Sequence, residues 1–415
     1  MSWCSTVDRT KLGIIVWRGL PACVAVVVVA AASPAIASER TPSCGRYKAT
    51  IVGTYVDDRI TGTRGDDVVV SFGGDDVIRS RGGSDTICGG RGDDRIKAGA
   101  GQFDEIFGGD GRDLIRSGRG FQDVIYAGRG PDLAYGGPGR NMLVAGPGRD
   151  VMYGGSHYDN FEQQGKDHHR DVFVGRGRRD RFLSDGGDDV FRGGKARDQI
   201  SFFDSSRGIE IDLFAGTATG EGRDLLASIE EVVGSKHDDT IVGSQGRDDI
   251  YAVTGDDSVY GLGGDDELTD AGGQDHFDGG EGDDLISTSY CVSASGGPTI
   301  CQPDPPLPDT IIGGIGDDLL GGGPGNDVIS GGRGDDAMDG GDGSDDLDGD
   351  AGDDILLAGN SAGEDTQTDD GKADDLDGGA DTDRCGGGAN DALVSCELPY
   401  PRGGLSSKLY RLRVF

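Results

Sequence analysis

Along most of this chain a single apolar residue recurs every nine positions, two places after an aspartate. Ile60, Val69, Ile78, Ile87 and Ile96 follow Asp58, Asp67, Asp76, Asp85 and Asp94, with Gly and polar residues between them. One inward side chain per nine residues fits the centre of a short extended segment, and the Gly-rich remainder turns the chain. Two nonapeptides then make one coil of 18 residues with a strand on each side, and stacked coils pair as parallel strands.

The register continues through Asp104, Asp113, Asp123, Asp132, Asn141 and Asp150, with one residue inserted before Asp104 and another before Asp123. It resumes at Asp171, Asp180, Asp189 and Asp198, where Phe173, Phe182 and Phe191 take the apolar place. A third run spans Asp239 to Asp284, a fourth Asp309 to Asp354, and a short tail holds Asp374 and Asp383, 29 registers in all. Stacking sets equivalent carboxylates about 4.8 Å apart. At that distance two of them repel by roughly 3 to 4 kcal/mol at an effective dielectric near 20. The stack therefore requires counter-ions, and a hard divalent cation taking carboxylate and backbone oxygens, Ca²⁺, suits it better than Mg²⁺ or Zn²⁺.

Composition sharpens this reading. Acidic residues outnumber Lys and Arg by 75 to 39, and Gly contributes 79 of 415 residues. Ser38 to Ile200 holds 25 basic and 26 acidic residues, whereas Ser201 to Phe415 holds 11 and 48. So acidic a second half repels nucleic acid and anionic membrane and attracts cations. Arg112, Arg140 and Arg149, each just before a register position, are expected to offset carboxylate repulsion in the first half.

GGRGDDRIK (89–97), GGEGDDLIS (279–287) and GGRGDDAMD (331–339) resemble the hemolysin-type (RTX) calcium-binding nonapeptide GGxGxDxUx, U being large and apolar. The resemblance implies an all-β fold, a parallel β-roll (a β-helix-like solenoid) with several Ca²⁺ in its turns. It implies metal ligands at Asp67, Asp76, Asp85, Asp94, Asp113, Asp248, Asp257, Asp266, Asp275, Asp284, Asp318, Asp327, Asp336, Asp345 and Asp354. By the same carry-over Asp76 pairs with Asp94, Asp248 with Asp266, Asp257 with Asp275, Asp266 with Asp284, Asp318 with Asp336, Asp327 with Asp345, and Asp336 with Asp354. Asn141, and the loss of the double Gly around residues 171–198, argue against metal there.

The chain divides accordingly. Residues 1–37 read as a secretory signal peptide: Lys11 and Arg18, an apolar run from Leu20 to Ala32, then Ala35 and Ala37 before cleavage. A first repeat block follows at 38–154, a loop at 155–170, degenerate repeats at 171–200 and a spacer at 201–233. An acidic block covers 234–287, a Pro- and Cys-containing loop 288–308, a third block 309–356, a loop 357–373, terminal repeats 374–396 and a basic tail 397–415. Cys4 and Cys23 leave with the signal peptide. Six cysteines remain in an oxidising compartment, with 15 possible connectivities. Their clustering suggests Cys44–Cys88, Cys291–Cys301 and Cys385–Cys396.

Enzyme signatures are weak. GNSAG at 359–363 offers Ser361 as a nucleophile, yet all five His precede it, against the chain order that a nucleophile elbow needs. His169, Arg170 and Asp171 spell HRD without a DFG, and no HExxH occurs. The expected function is a secreted, extracellular, non-catalytic calcium-binding protein that folds on Ca²⁺. The alternatives are an adhesin or matrix protein whose partner is a cell-surface or matrix component, and a hydrolase. Neither nucleic acid nor membrane insertion is expected. Three RGD tripeptides, at 64–66, 91–93 and 333–335, fall inside the repeat and read as turn residues, with Asp94 and Asp336 just beyond two of them.

Overall fold

The computed structural model describes residues 42–165, 168–184, 186–288, 291–293, 299–301, 307–357, 359, 374–386, 392–396 and 398–399. These residues form strands and turns, with no helix among them, and coil as a parallel β-solenoid of about 17 turns. Successive strands alternate between two sheets. One sheet runs from Arg59–Thr61 through Val77–Gly82, Arg95–Ala100, Leu114–Gly118 and, near its far end, Asp375–Asp377 to Ala392–Val394; the other runs from Ile51–Val52 through Val68–Val70, Thr86–Arg91 and Arg384–Gly386 to Leu398–Pro399. Ile78 lies opposite Ile60 on one side and Ile96 on the other, so each strand pairs with the equivalent strand one coil away.

The nine-residue pattern dictates this arrangement. Ile78, Ile87, Ile106, Ile115 and Ile125 are fully buried, as are Val259, Leu268, Phe277 and Ile286 in the second half. They form one continuous column between the sheets. Burying each such side chain contributes roughly 1.5 to 3 kcal/mol. Phe161 stacks on Phe182, ring centroids 4.9 Å apart, and Phe173 on Phe191 at 5.3 Å. The middle of the column is therefore aromatic.

The second Gly of each complete repeat turns the chain. Gly90, Gly280 and Gly332 have φ of 106°, 104° and 107°, which L side chains rarely adopt. A Cβ on Gly90 would come within 2.2 Å of the Phe72 carbonyl oxygen in the preceding coil.

Three of the four interruptions differ from expectation. Within 155–170, expected as a loop, Asn160–Gln163 forms a strand of the roll with Phe161 inward and Asp159 buried in the register. The spacer at 201–233 keeps the coil going as well. Arg223–Ala227 pairs in parallel with Val190–Arg192, and Glu231–Val233 with Gln199–Ser201. Glu210–Asp212 and Thr217–Thr219 add an antiparallel excursion to one sheet, with Ile209 and Ile211 buried. In the loop at 288–308, Cys291–Ser293 and Thr299–Cys301 form a two-stranded antiparallel sheet with Cys291 opposite Cys301; the side chains of this pair lie outside the described residues. Residues 360–373, Ser361 included, also lie outside them, as do residues 1–37, expected as a signal peptide, with Trp3 and Trp17, and all of the basic tail except the backbone of 398–399.

The described cysteines pair as expected. Cys44 is joined to Cys88, and Cys385 to Cys396. The first bond ties the start of the roll to one of its early coils, and the second closes its last described coils.

Candidate metal centre in the stacked aspartate turns

Each register Asp ends a turn and begins a strand, so the coil repeat places equivalent Asp residues directly over one another. All fifteen predicted ligand residues are buried, none more than 5% exposed. The backbone N–H of each Asp donates to Oδ1 of the Asp one coil later: Asp76 to Asp94 at 2.8 Å, Asp248 to Asp266 at 2.7 Å and Asp266 to Asp284 at 2.8 Å. Asp257 with Asp275, Asp318 with Asp336, Asp327 with Asp345, and Asp336 with Asp354 follow the same rule at 2.8 to 3.0 Å. All seven expected pairs are therefore brought together. Asp67, Asp85 and Asp113 belong to the same two ladders through Asp85, Asp104 and Asp132.

The second carboxylate oxygen has a different environment. Oδ2 of Asp94, Asp113, Asp257, Asp266, Asp284, Asp327 and Asp354 is buried with no hydrogen-bond donor among the described residues. Except for Asp257, whose repeat has Ala252 in that place, these oxygens face the first Gly of their own repeat. A Cβ on Gly261 would lie 2.4 Å from Asp266 Oδ2 and 2.5 Å from the Gly279 carbonyl oxygen. The same cradle recurs at Gly89, with Asp94 Oδ2 and Gly108 O both at 2.5 Å, and at Gly279, with Asp284 Oδ2 at 2.4 Å and Gly313 O at 2.6 Å. At these glycines the place of a side chain is where two oxygens of adjacent coils converge, and the repeats of Asp132 and Asp257 accommodate no more than Ala127 and Ala252 there.

Burial without compensation shows in the titration of these groups. Burial first, then neighbouring carboxylates, pushes Asp257 and Asp266 up to about 8, and Asp94 and Asp284 up to about 7, from an ordinary 3.8. Each carboxylate needs a positive partner to remain ionised. Among the described residues no three His, Cys, Asp or Glu side chains converge at one point. What each turn offers instead is carboxylate oxygens with backbone carbonyls, the donor set of a hard cation such as Ca²⁺. The residues present fit that ion.

Where the repeat departs from Asp, a side-chain nitrogen takes the cradle. Asn141 Nδ2 donates to Asp159 Oδ1 at 2.8 Å and to the carbonyls of Gly139 at 3.0 Å and Gly137 at 3.2 Å. Gln163 Nε2 bridges two coils, donating to Asp189 Oδ2 at 2.9 Å and Asp171 Oδ2 at 3.3 Å. Arg179 pairs with Glu231, and Arg197 with Asp249. By contrast Arg112, Arg140 and Arg149, expected to neutralise the ladder, are exposed and form no ion pair among the described residues. The residue before each register Asp lies on the outer side of the turn, which turns its side chain to solvent.

Several ladder members were absent from the expected ligand set. Asp104, Asp123 and Asp132 share the geometry of Asp113, and Asp309 stands between Asp275 and Asp327. Asp159, Asp224 and Glu230 also accept the backbone N–H of the register residue one coil earlier, Asn141, Asp189 and Asp198. Their signal is an apolar residue two places on: Phe161, Leu226 and Val232.

The RGD aspartates belong to a second, exposed ladder. Asp66, Asp93 and Asp335 accept from the backbone N–H groups of Ser84 at 2.7 Å, Arg112 at 2.9 Å and Asp353 at 3.0 Å. The HRD aspartate, Asp171, is a buried register position whose N–H donates to Asp189.

A family model described as RTX calcium-binding nonapeptide repeat (4 copies) matches residues 52–87, 89–121, 117–152, 135–159, 169–200, 233–268, 251–286, 308–329 and 321–356, together more than half of the chain. No curated protein matches it.

Proposed function

The chain belongs to the RTX calcium-binding nonapeptide repeat family, and from that premise we propose that it is a secreted, non-catalytic protein whose roll folds as Ca²⁺ enters its turns. The repeats are calcium-binding, and their number implies several ions per chain. The observation that carries the proposal is the row of buried Oδ2 atoms facing Gly carbonyls with no donor between them. In it, Asp67, Asp76, Asp85, Asp94 and Asp113 hold Ca²⁺ in the first half. Asp248, Asp257, Asp266, Asp275, Asp284, Asp318, Asp327, Asp336, Asp345 and Asp354 hold it in the second. Because a site spread over successive coils does not exist in the unfolded chain, the free energy of ion binding becomes free energy of folding.

Dialysis against a chelator should strip most far-ultraviolet β signal, and Ca²⁺ should restore it with a binding isotherm of several sites by calorimetry. An unchanged spectrum without Ca²⁺ would reject the coupling. Secretion rests on the segment before residue 38. Material recovered from the medium should begin near Ser38 and show no Trp fluorescence, since both Trp residues, Trp3 and Trp17, precede it. The non-catalytic reading rests on the repeats filling most of the chain, and hydrolysis abolished by Ser361→Ala would overturn it.

A further inference from the structure

One sheet presents charge of opposite sign at its two ends, on the same outward face. In the first coils the outward residues include Arg59, Arg79, Arg95, Lys97 and Arg116, all exposed. Arg79 lies opposite Lys97, and Lys97 opposite Arg116, so three cations stand in line one strand spacing apart. The four strands carrying them, Arg59–Thr61, Val77–Gly82, Arg95–Ala100 and Leu114–Gly118, contain no acidic residue. None of the five cations forms an ion pair among the described residues.

Far along the same sheet the signs reverse. Asp346, Asp348 and Asp350 lie on the strand Asp346–Ala351, and Asp375 and Asp377 on the next, with Asp346 opposite Asp375 and Asp348 opposite Asp377. These two strands contain no basic residue. Past the cationic end three strands carry no charge, and farther along the sheet Arg192, Glu210, Asp278, Glu281 and Arg333 mix both signs. Tyr135 stacks on Tyr153 with centroids 5.0 Å apart, and Leu133, Val151 and Val172 form the neighbouring row. Like charges are thus crowded at both ends: the four cationic strands hold no acid, and the acidic strands have Arg333 of the preceding strand, opposite Ala351, as a basic neighbour.

We propose that this face docks a second copy of the chain, inverted end for end, so that the cation ladder of each copy lies against the aspartate ladder of the other. Two observations select a second copy over another anionic or cationic partner. Both complementary surfaces are present on one face, so a single two-fold axis satisfies both at once, as an isologous dimer requires. Both ladders also carry the strand spacing of the same roll, so the charges remain in step from coil to coil. The inference rests on the calcium-folded roll, because the ladders exist only when the coils are stacked.

Sedimentation velocity on the full secreted chain in saturating Ca²⁺ tests it. A dimer is expected at low salt, dissociating as the Debye length shrinks with added salt. The triple variant R79E/K97E/R116E should be monomeric, and so should D346K/D348K/D350K, each with its far-ultraviolet spectrum in Ca²⁺ unchanged. Mixing the two should restore a dimer, since each variant then meets opposite charge at both ends. A wild-type chain that is folded in Ca²⁺ yet monomeric at all salt concentrations overturns the proposal, as does a folded mixture that stays monomeric. Should charge reversal prevent folding, the neutral variants R79Q/K97Q/R116Q and D346N/D348N/D350N each weaken the dimer, and a dimer unaffected by both contradicts it. Failure of the chain to fold in Ca²⁺ would instead refute the calcium-folding reading, so the two failures are distinguishable.

Discussion

In the coils between Asp257 and Asp284 the Oδ2 atoms of Asp257, Asp266 and Asp284 meet no donor among the described residues, and burial with like charge pushes Asp257 and Asp266 up to about 8. In the coils between Asn141 and Asp189 the backbone makes the same turns, yet the amides of Asn141 and Gln163 lie against the carboxylates. The column inside the second region is also aromatic, with Phe161, Phe173, Phe182 and Phe191 stacked in two files. The comparison shows what the roll demands: a positive partner for each stacked carboxylate. In the middle coils an amide N–H built into the chain supplies it at Asp159, Asp171 and Asp189, while Asp180 Oδ2 meets no donor among the described residues and is pushed up to about 8; the acidic coils must take it from an ion. The middle coils should accordingly form the part of the roll least dependent on calcium.

The largest expected effect separates the hydrophobic contribution from the ionic one. Phe182→Ala opens a cavity in the aromatic files and should cost about 3 to 5 kcal/mol by urea denaturation, with or without Ca²⁺. A loss appearing only in chelator would mean that the middle coils also depend on the ion.

Asp266→Asn exchanges one solution for the other. In the structure Asp266 Oδ2 lies 2.4 Å from the place of a Gly261 Cβ, much as Asn141 Nδ2 lies 2.9 Å from that of Gly136. The variant should gain about 1 to 3 kcal/mol in chelator, by giving the buried group a donor, and bind less Ca²⁺ in calorimetry. Asn141→Asp should lose a similar amount in chelator and recover it in Ca²⁺. A chelator midpoint that falls in the first variant, or rises in the second, breaks the comparison.

Acidity offers a gentler probe. Without metal, burial raises Asp257, Asp266 and Asp327 to about 8 in the folded roll, against an ordinary 3.8. Between those values the folded chain binds more protons than the unfolded one, so stability is greatest below about pH 4 and is lost as pH rises toward 8. Calcium needs the ionised carboxylates and acts in the opposite sense. In chelator, far-ultraviolet β signal should therefore be greater at pH 5 than at pH 8, and Ca²⁺ should abolish or reverse that order. A chelated roll that gains structure from pH 5 to pH 8 would contradict the burial argument.

The smallest effect concerns the turn. Leu262 holds a φ of 76° one coil before Gly280, a place that glycine takes in most repeats. Leu262→Gly should stabilise the roll by about 1 kcal/mol, read as a raised melting temperature in Ca²⁺.

Much of this architecture was legible because one period serves both the core and the site. Ile78 two places after Asp76 marks the inward column, and a coil of two repeats sets Asp76 over Asp94. Asp159 escaped because His157 replaces the third Gly of its repeat and the next Asp of its ladder, Asp180, lies 21 residues on. Asp224 and Glu230 were hidden by an antiparallel insertion that lengthens the coil without disturbing its stacking. Gln163 could not have been assigned from sequence. It meets Asp171 and Asp189 only because the strand Asn160–Gln163 ends beside the turns of the next coils, a neighbourhood that no spacing encodes.

Hydrogen exchange of the whole chain, resolved by segment and compared between chelator and saturating Ca²⁺, tests the central claim most directly. Amides of residues 248–287 and 309–356 should exchange freely in chelator and become protected in Ca²⁺, while those of residues 141–201 remain protected in both. Uniform protection without calcium, or its uniform loss across both regions, would contradict the account.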